Sequence, residues 1–458
     1  MASLERTCKI RERGSPFGRE ALGGVTTFMA LSYIIFVQPA MMSDAGVPFA
    51  GAFVATCVAS AAACLLMAFL ANYPIALAPA MGHNVYFTYT VVLTIGLTWQ
   101  QGLTAVFIGG CIFLLLSFFG FRAKVMEVIP DSLRRGIAGG IGLLITLIGL
   151  EYAGLIVGSP ATGIKLGNLH SPVTALAMCG LALTLVLMAL RVRGAVLWGI
   201  VGTVVVGLVV TLAGTTKAPL LNLSMDTYDS LDPSGSMLAL DFSGFFSARS
   251  WLTVMLTFLF LDVFDTVGTL VGVGERAGFL DDQGRLPAAR WALFSDASGT
   301  VIGALMGTST VTSYVESAAG VQAGARTGLA NVCTALLFLL SILLYPVLAV
   351  VATRHVYKVG DFEIAQYPVL APALIVVGSM MLRSLARLQW DDATEFLPAF
   401  LTIVLIPVTF SITEGIAFGF IAYSLLKLVT GRGREAHWVF HLIALILALR
   451  YIFLPPVS

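Results

Sequence analysis

"WLTVMLTFLFLDVFDTVGTLVGVG", Trp251 to Gly274, is apolar, small or hydroxylated throughout except for two aspartates near its centre, Asp262 and Asp265. About 20 apolar residues cross a bilayer as a helix, so this stretch reads as a membrane span. An acid at the bilayer centre costs about 2.5–3.5 kcal/mol even on the lenient insertion scale. No Lys or Arg lies within the stretch to pair with either acid. The two are three residues apart, so they share one helix face, and Thr269 continues it one turn later.

The rest of the chain agrees with a membrane setting. Of 458 residues, 58% are hydrophobic and only 11% charged, against about 25% charged in a soluble domain. The mean hydropathy is +0.93. This composition describes an integral membrane protein whose main partner is the lipid bilayer. A net charge of +1 excludes a basic nucleic-acid surface, and no nucleic-acid motif occurs. The six cysteines lie mostly in apolar runs with no CxxC pair, so they read as buried small hydrophobes, neither disulfides nor metal ligands. No cofactor is expected. The tail 1–19 is polar and basic, without the apolar region of a cleaved signal peptide.

Helices are expected near 20–42, 51–71, 100–120, 133–157, 172–190 and 195–213, then near 251–274, 289–306, 327–352, 367–385, 395–412 and 414–430. Two shorter stretches, 74–92 and 308–324, are interrupted by Pro, Gly, Ser and Thr. The polar segment 214–250 divides the chain into two sets of seven, 20–213 and 251–430, each with its third segment broken. Seven is odd, so the second set runs inverted relative to the first. Inverted repeats with broken helices at matching positions point to a transporter site at the bilayer midplane. The expected fold is therefore an all-α polytopic protein of fourteen segments, with short extended pieces in segments 3 and 10. Twenty of the 26 Lys and Arg residues fall on one side of this topology and five on the other, with Arg450 unassigned. The positive-inside rule then makes the N-terminus cytoplasmic and the 214–250 linker extracytoplasmic. The C-terminal tail, 431–458, holds an apolar stretch, 436–454, broken by Arg450; it reads as interfacial, with a further span left open.

The broken segments carry the other polar candidates. In "NYPIALAPAMGHNVYFTYT", Pro74 and Pro79 forbid a continuous helix, and "MGHNVYF" opens a half-helix with Asn84 in its first turn. In "GTSTVTSYVESAAGVQAG", Thr308 to Thr312 suits an extended piece. Ser313 is expected to cap the following half-helix with Glu316 in a capping-box spacing. Asn84 and Glu316 would then hold equivalent places in the two repeats. Non-helical backbone at this depth is tolerated where it is buried in protein or lines a cavity. The bland alternative makes these acids a structural plug that satisfies backbone N–H groups; the functional one makes them bind substrate or carry protons. His83 is a ligand, a proton carrier or a packing residue. Gly268 with Gly272, and Gly136 with Gly140, have the spacing of close helix packing.

Four stretches are more specific: "ANYPIALAPAMGHN", "FLDVFDTVGTLVGVGERAGFLDDQGRLP", "GTSTVTSYVESAAGVQAGARTGL" and "PAFLTIVLIPVTFSITEGIAFG". Together, from Phe17 to Trp438, they resemble the AzgA-like purine permeases, a branch of the nucleobase–cation symporter-2 superfamily. The resemblance implies a seven-plus-seven inverted repeat with core and gate domains. It also implies that Asp265, matched by "DTVG", and Glu316, in "SYVES", hold a nucleobase together with Asn84. "APAMGHN" departs from the common "APGMG" at Ala80 and His83, which bears on purine preference.

The chemistry suits a purine. A carboxylate accepts the N1–H of a guanine or hypoxanthine edge and, from guanine, the adjacent exocyclic N–H as well, and Asn84 offers donor and acceptor. Thr269, Thr312, Ser313, Asp262 and His83 complete the candidate site, with Phe87, Tyr86 or Tyr314 as stacking surfaces. Two carboxylates in one low-dielectric cavity resist being charged together, so Glu316 or Asp265 is expected to carry a proton with each substrate. Proton symport of a purine nucleobase across the cytoplasmic membrane is the expected function, with sodium coupling, another nucleobase or an anion as alternatives. A homodimer stays open. An intramembrane aspartyl protease would need aspartates on two helices and a "GxGD", which is absent.

Overall fold

The computed structural model describes residues 13, 15–118, 130–159, 162–214, 219–222, 231–248, 250–281, 286–359 and 362–453. Most of the expected N-terminal tail, Cys8, parts of the 214–250 linker and the last five residues lie outside them.

The first expected segment is two helices, α1 (Phe17–Leu31) and α2 (Ile34–Asp44), broken at Ser32 and Tyr33. They are followed by α3 (Phe49–Leu66), strand β1 (Leu77–Pro79), the half-helix α4 (Met81–Val85) with its π-helical continuation to Thr94, α5 (Trp99–Phe118) and α6 (Asp131–Tyr152). Strands β2 (Ile156–Ser159) and β3 (Gly163–Leu166) pair before α7 (Pro172–Ala189), α8 (Ala195–Leu212) and the short α9 (Phe242–Ser247). The second half holds α10 (Trp251–Ala277), α11 (Ala289–Met306), β4 (Val311–Ser313), α12 (Ser317–Gln322), α13 (Leu329–Leu340) and α14 (Tyr345–Val351). Paired strands β5 (His355–Val359) and β6 (Phe362–Gln366) precede α15 (Ala371–Met381), α16 (Ala393–Val408), α17 (Ile412–Val429) and α18 (Trp438–Phe453). Among the described residues, eight helices are long and apolar enough to cross a membrane, and three shorter apolar helices accompany them. The β2–β3 and β5–β6 pairs are additions to the expected all-helical pattern.

The helices sort by packing into two groups. In one, α1, α3, α5, α10, α11, α12 and α13 pack together; in the other, α6, α7, α8, α15, α16 and α17 do. Small residues allow the closest approaches. A methyl group on Gly136 would lie 3.0 Å from Ala399 Cα, and one on Gly140 3.0 Å from the Thr402 carbonyl, so α6 and α16 meet backbone to backbone. The packing expectation for this pair holds. α18 lies antiparallel along α17, joined by Ser424 and His441 at one end (2.7 Å) and by Arg450 and Glu414 at the other (2.9 Å).

Hydroxyls tie the two groups together at the end where α10 begins. Tyr152 and Tyr367 donate to the two oxygens of Asp44 at 2.7 and 3.0 Å, and Tyr89 bonds Tyr152 at 2.9 Å. Thr90 donates to the Phe410 carbonyl at 3.0 Å, and Thr257 meets Thr413 at 3.1 Å. At the opposite end, Arg432 pairs with Asp392 and Glu435 at 2.8 and 2.7 Å. The Thr394 hydroxyl and Arg432 hold the Asp392 carboxyl down at about 2, and Arg432 with Lys427 does the same for Glu435. Lowered folded values mean that this belt is fully charged at neutral pH and loosens only as pH falls toward about 2. It takes no part in any pH response between 6 and 8.

Candidate functional site

Pro74 and Pro79 keep 74–80 extended, and the β-branched run before Ser313 keeps 311–313 extended. The two pieces solve each other's hydrogen-bonding problem. β1 pairs antiparallel with β4, Leu77 opposite Ser313, Ala78 opposite Thr312 and Pro79 opposite Val311. The pairing continues through Ala80 N–H to Thr310 O and Tyr314 N–H to Ala76 O, both 2.9 Å. Side chains satisfy the outer edges: Ser317 Oγ accepts from Ala76 N–H at 3.0 Å, and Asn331 Nδ2 donates to the Ile75 carbonyl at 2.6 Å. Buried backbone away from water must be paired in this way.

The outer edge of β4 is held by a residue that the sequence reading passed over. Asp296, fully buried on α11, accepts from Thr266 Oγ1 at 2.7 Å, Thr312 Oγ1 at 2.9 Å, Ser313 N–H at 3.0 Å and Ser313 Oγ at 3.3 Å. One carboxylate therefore fastens β4 to both α10 and α11. The signal was available: Asp296 lies within the apolar run 289–306, where the cost argument applied to Asp265 applies equally.

Asp296 also overturns the expected capping box. Ser313 lies in β4 with its hydroxyl drawn to Asp296, and α12 starts at Ser317 with no side-chain cap from Glu316. Instead, Glu316 accepts from Tyr33 OH at 3.1 Å and stays partly accessible.

On α10 the two aspartates differ. Asp262 is buried (2% exposed), whereas 40% of the Asp265 side chain is accessible. Asp265 is close enough to Asp296 and Glu316 to feel both charges. His83 Nδ1 lies 3.9 Å from Asp265 Oδ2, and the imidazole, 1% exposed, has no hydrogen-bond partner on either nitrogen. Asn84, fully buried, bonds Ser309 Oγ through Oδ1 and leaves Nδ2 without a partner. Gln38 supports this corner by donating to Thr308 at 2.9 Å. Thr269 is buried one turn past Asp265, while Thr312 and Ser313 are committed to Asp296. Of the expected stacking residues, Phe87 packs against Gly102, Tyr86 meets Phe258 edge-on, and Tyr314 donates its hydroxyl to the Pro79 carbonyl. The ring nearest to His83 in stacking orientation is Phe258, 6.5 Å away at 17°.

Gly268 and Gly272 follow Asp265 on one helix face, and the close packing expected of them finds no partner among the described residues. A methyl group on either would meet no described atom within 4 Å. The accessible face continues to Glu275 and Arg276 at the C-terminal end of α10, away from the Asp44 ties. Gly268→Leu should therefore change stability in detergent, read from the melting curve, by no more than about 0.5 kcal/mol, while slowing uptake severalfold by narrowing this face. Gly140→Leu, forced against Thr402 and Ile406, should cost about 1–3 kcal/mol of stability. Two surface clefts of about 380 and 490 Å³ lie elsewhere, lined by Arg135 and Arg432 in one case and by Arg13 and Phe279 in the other. Neither is lined by a site residue.

Comparison with known proteins agrees on the scaffold. The model of a family described as "Permease family" matches residues 18–418. The guanine/hypoxanthine permease PbuG of Bacillus subtilis is 41% identical over 97% of this chain and 98% of its own. The adenine permease AdeP of Escherichia coli is 40% identical over 98% and 96%. Among solved structures, the transmembrane domain of a cyanobacterial bicarbonate transporter, BicA, superposes with a TM-score of 0.63 at 16% identity, covering 87% of this chain and 97% of that one. At that identity the likeness concerns the fold alone.

Proposed function

We propose, on the premise that this chain belongs to the Permease family, the nucleobase–cation symporter-2 family, that it imports purine nucleobases by proton symport. It is a multi-pass membrane permease and not an enzyme. The finer reading has fourteen segments in two inverted sets of seven. It sits in the cytoplasmic membrane with a cytoplasmic N-terminus, and the two packing groups act as core and gate. Near full-length likeness to permeases named for guanine, hypoxanthine and adenine supports the substrate class.

One observation carries the reading. Asp265 and Glu316 both open to accessible space, and no Lys or Arg is described in an ion pair with either. His83, 3.9 Å from Asp265, and its chain neighbour Asn84 each keep a buried nitrogen without a partner. A flat heterocycle with mixed N–H and acceptor positions matches such a set. An anion does not, because both carboxylates would repel it. With the Asp44 ties closed and the Gly268 face open, the site communicates with the side toward which α10 ends.

The coupling ion follows from the same pair of acids. Close enough to interact, they resist double charging; a base bonded to one leaves the other to carry a proton. A gradient of two pH units is worth about 2.7 kcal/mol per proton, enough for roughly hundredfold accumulation. Proteoliposomes at internal pH 8 and external pH 6 should accumulate hypoxanthine, and a protonophore should abolish the accumulation. Accumulation that requires sodium and ignores both treatments would contradict proton symport.

A further inference from the structure

His83 is the least explained group near the site. It sits on the first half-helix, 1% exposed, with neither ring nitrogen hydrogen-bonded. A buried polar atom left unsatisfied is destabilising, and an apolar side chain would fill the same volume without that cost. The imidazole lies nearly parallel to Phe258 and directs Nδ1 toward Asp265 Oδ2, 3.9 Å away. That gap is too long for a direct bond. It is short enough for adjacent atoms of one ligand edge to engage both groups.

The donor and acceptor inventory says what that edge must be. Asp265 and Glu316, when ionised, only accept. A site of acceptors alone would take amino groups and ring N–H groups and reject a carbonyl. The donors left unspent are Asn84 Nδ2 and an N–H of neutral His83. We infer that His83 is a specificity-determining residue: its Nδ1–H bonds the C6 carbonyl oxygen of a 6-oxopurine while Asp265 accepts the neighbouring N1–H. This assignment rests on the purine reading above and narrows it to hypoxanthine- and guanine-type bases. An aminopurine presents the reverse order, a donor at C6 and an acceptor at N1, so it has to bind in another orientation.

The test is competition against labelled hypoxanthine in cells expressing the full chain, with adenine, guanine and unsubstituted purine as competitors. In the native protein, purine, which lacks the C6 oxygen, should compete at least about tenfold more weakly than hypoxanthine. His83→Leu should shift the hypoxanthine-to-adenine affinity ratio toward adenine by about tenfold, the effect of one buried acceptor left unpaired. His83→Gln, which retains a donor, should hold the ratio within about threefold of native. A packing role alone would lower amounts of protein in the membrane without moving the ratio. An unchanged ratio in the Leu variant, or equal competition by purine and hypoxanthine in the native protein, overturns the assignment even if the variants express poorly. Absence of any purine uptake by the native protein would instead overturn the purine reading on which it rests.

Discussion

Asp265→Asn and Glu316→Gln are each expected to lower purine uptake about a hundredfold while the protein still reaches the membrane. A hydrogen bond to a charged group contributes about 1.5–3 kcal/mol, and the acid that holds hypoxanthine receives one from its N1–H. Losing about 3 kcal/mol corresponds to roughly a hundredfold. An amide in place of the acid also turns a donor toward the substrate's own donors. Glu316→Gln has a second signature: as a permanently neutral side chain it can still exchange purine across the membrane while losing pH-driven accumulation. Asp262→Asn is the internal comparison. Asp262 is buried three residues before Asp265 and does not share its accessibility, so its loss should be milder. Initial rates of labelled hypoxanthine uptake, normalised to protein in the membrane, check all three. Near-wild-type rates in both Asp265→Asn and Glu316→Gln would place the site elsewhere.

Asp296→Ala is expected to be as severe by another route. Four donors converge on this carboxylate, from Thr266, Thr312 and both polar groups of Ser313. Its removal strands them in the interior at about 1–3 kcal/mol for each group left unsatisfied, offset in part where hydroxyls rotate to new acceptors. β4 then loses its attachment to α10 and α11, and Glu316, three residues beyond Ser313, loses its fixed position. A net destabilisation of about 3–5 kcal/mol should appear as a large drop in melting temperature in detergent together with loss of uptake. Asp296→Asn, which keeps an acceptor oxygen, should recover part of the stability. A variant that melts like wild type and transports normally would show that β4 is held without Asp296.

Much of this fold is legible in local chemistry. Long apolar runs mark the helices, and Pro74, Pro79 and the Thr-rich stretch before Ser313 mark where two of them must break. Asp265 stands out because its cost in an apolar setting is unconditional, whatever packs around it. What escaped depends on partners distant in sequence. The serine–glutamate spacing at 313 and 316 fits a capping box, yet Asp296, 17 residues earlier, competes for the same serine and wins. Glycine spacing is equally ambiguous without neighbours. Gly136 and Gly140 meet α16, whereas Gly268 and Gly272 meet nothing among the described residues. The β2–β3 and β5–β6 pairs fall in connections between expected helices, where short alternating stretches such as "HVYKV" were overshadowed by the hydropathy of their surroundings.

The most direct measurement is uptake of labelled hypoxanthine by the full chain in proteoliposomes with an acidic exterior, competed in turn by guanine, adenine, uracil and bicarbonate. Saturable uptake that purines inhibit, with no inhibition by bicarbonate and little by uracil, is expected. Uptake inhibited by bicarbonate, or no hypoxanthine uptake while uracil is carried, would contradict it.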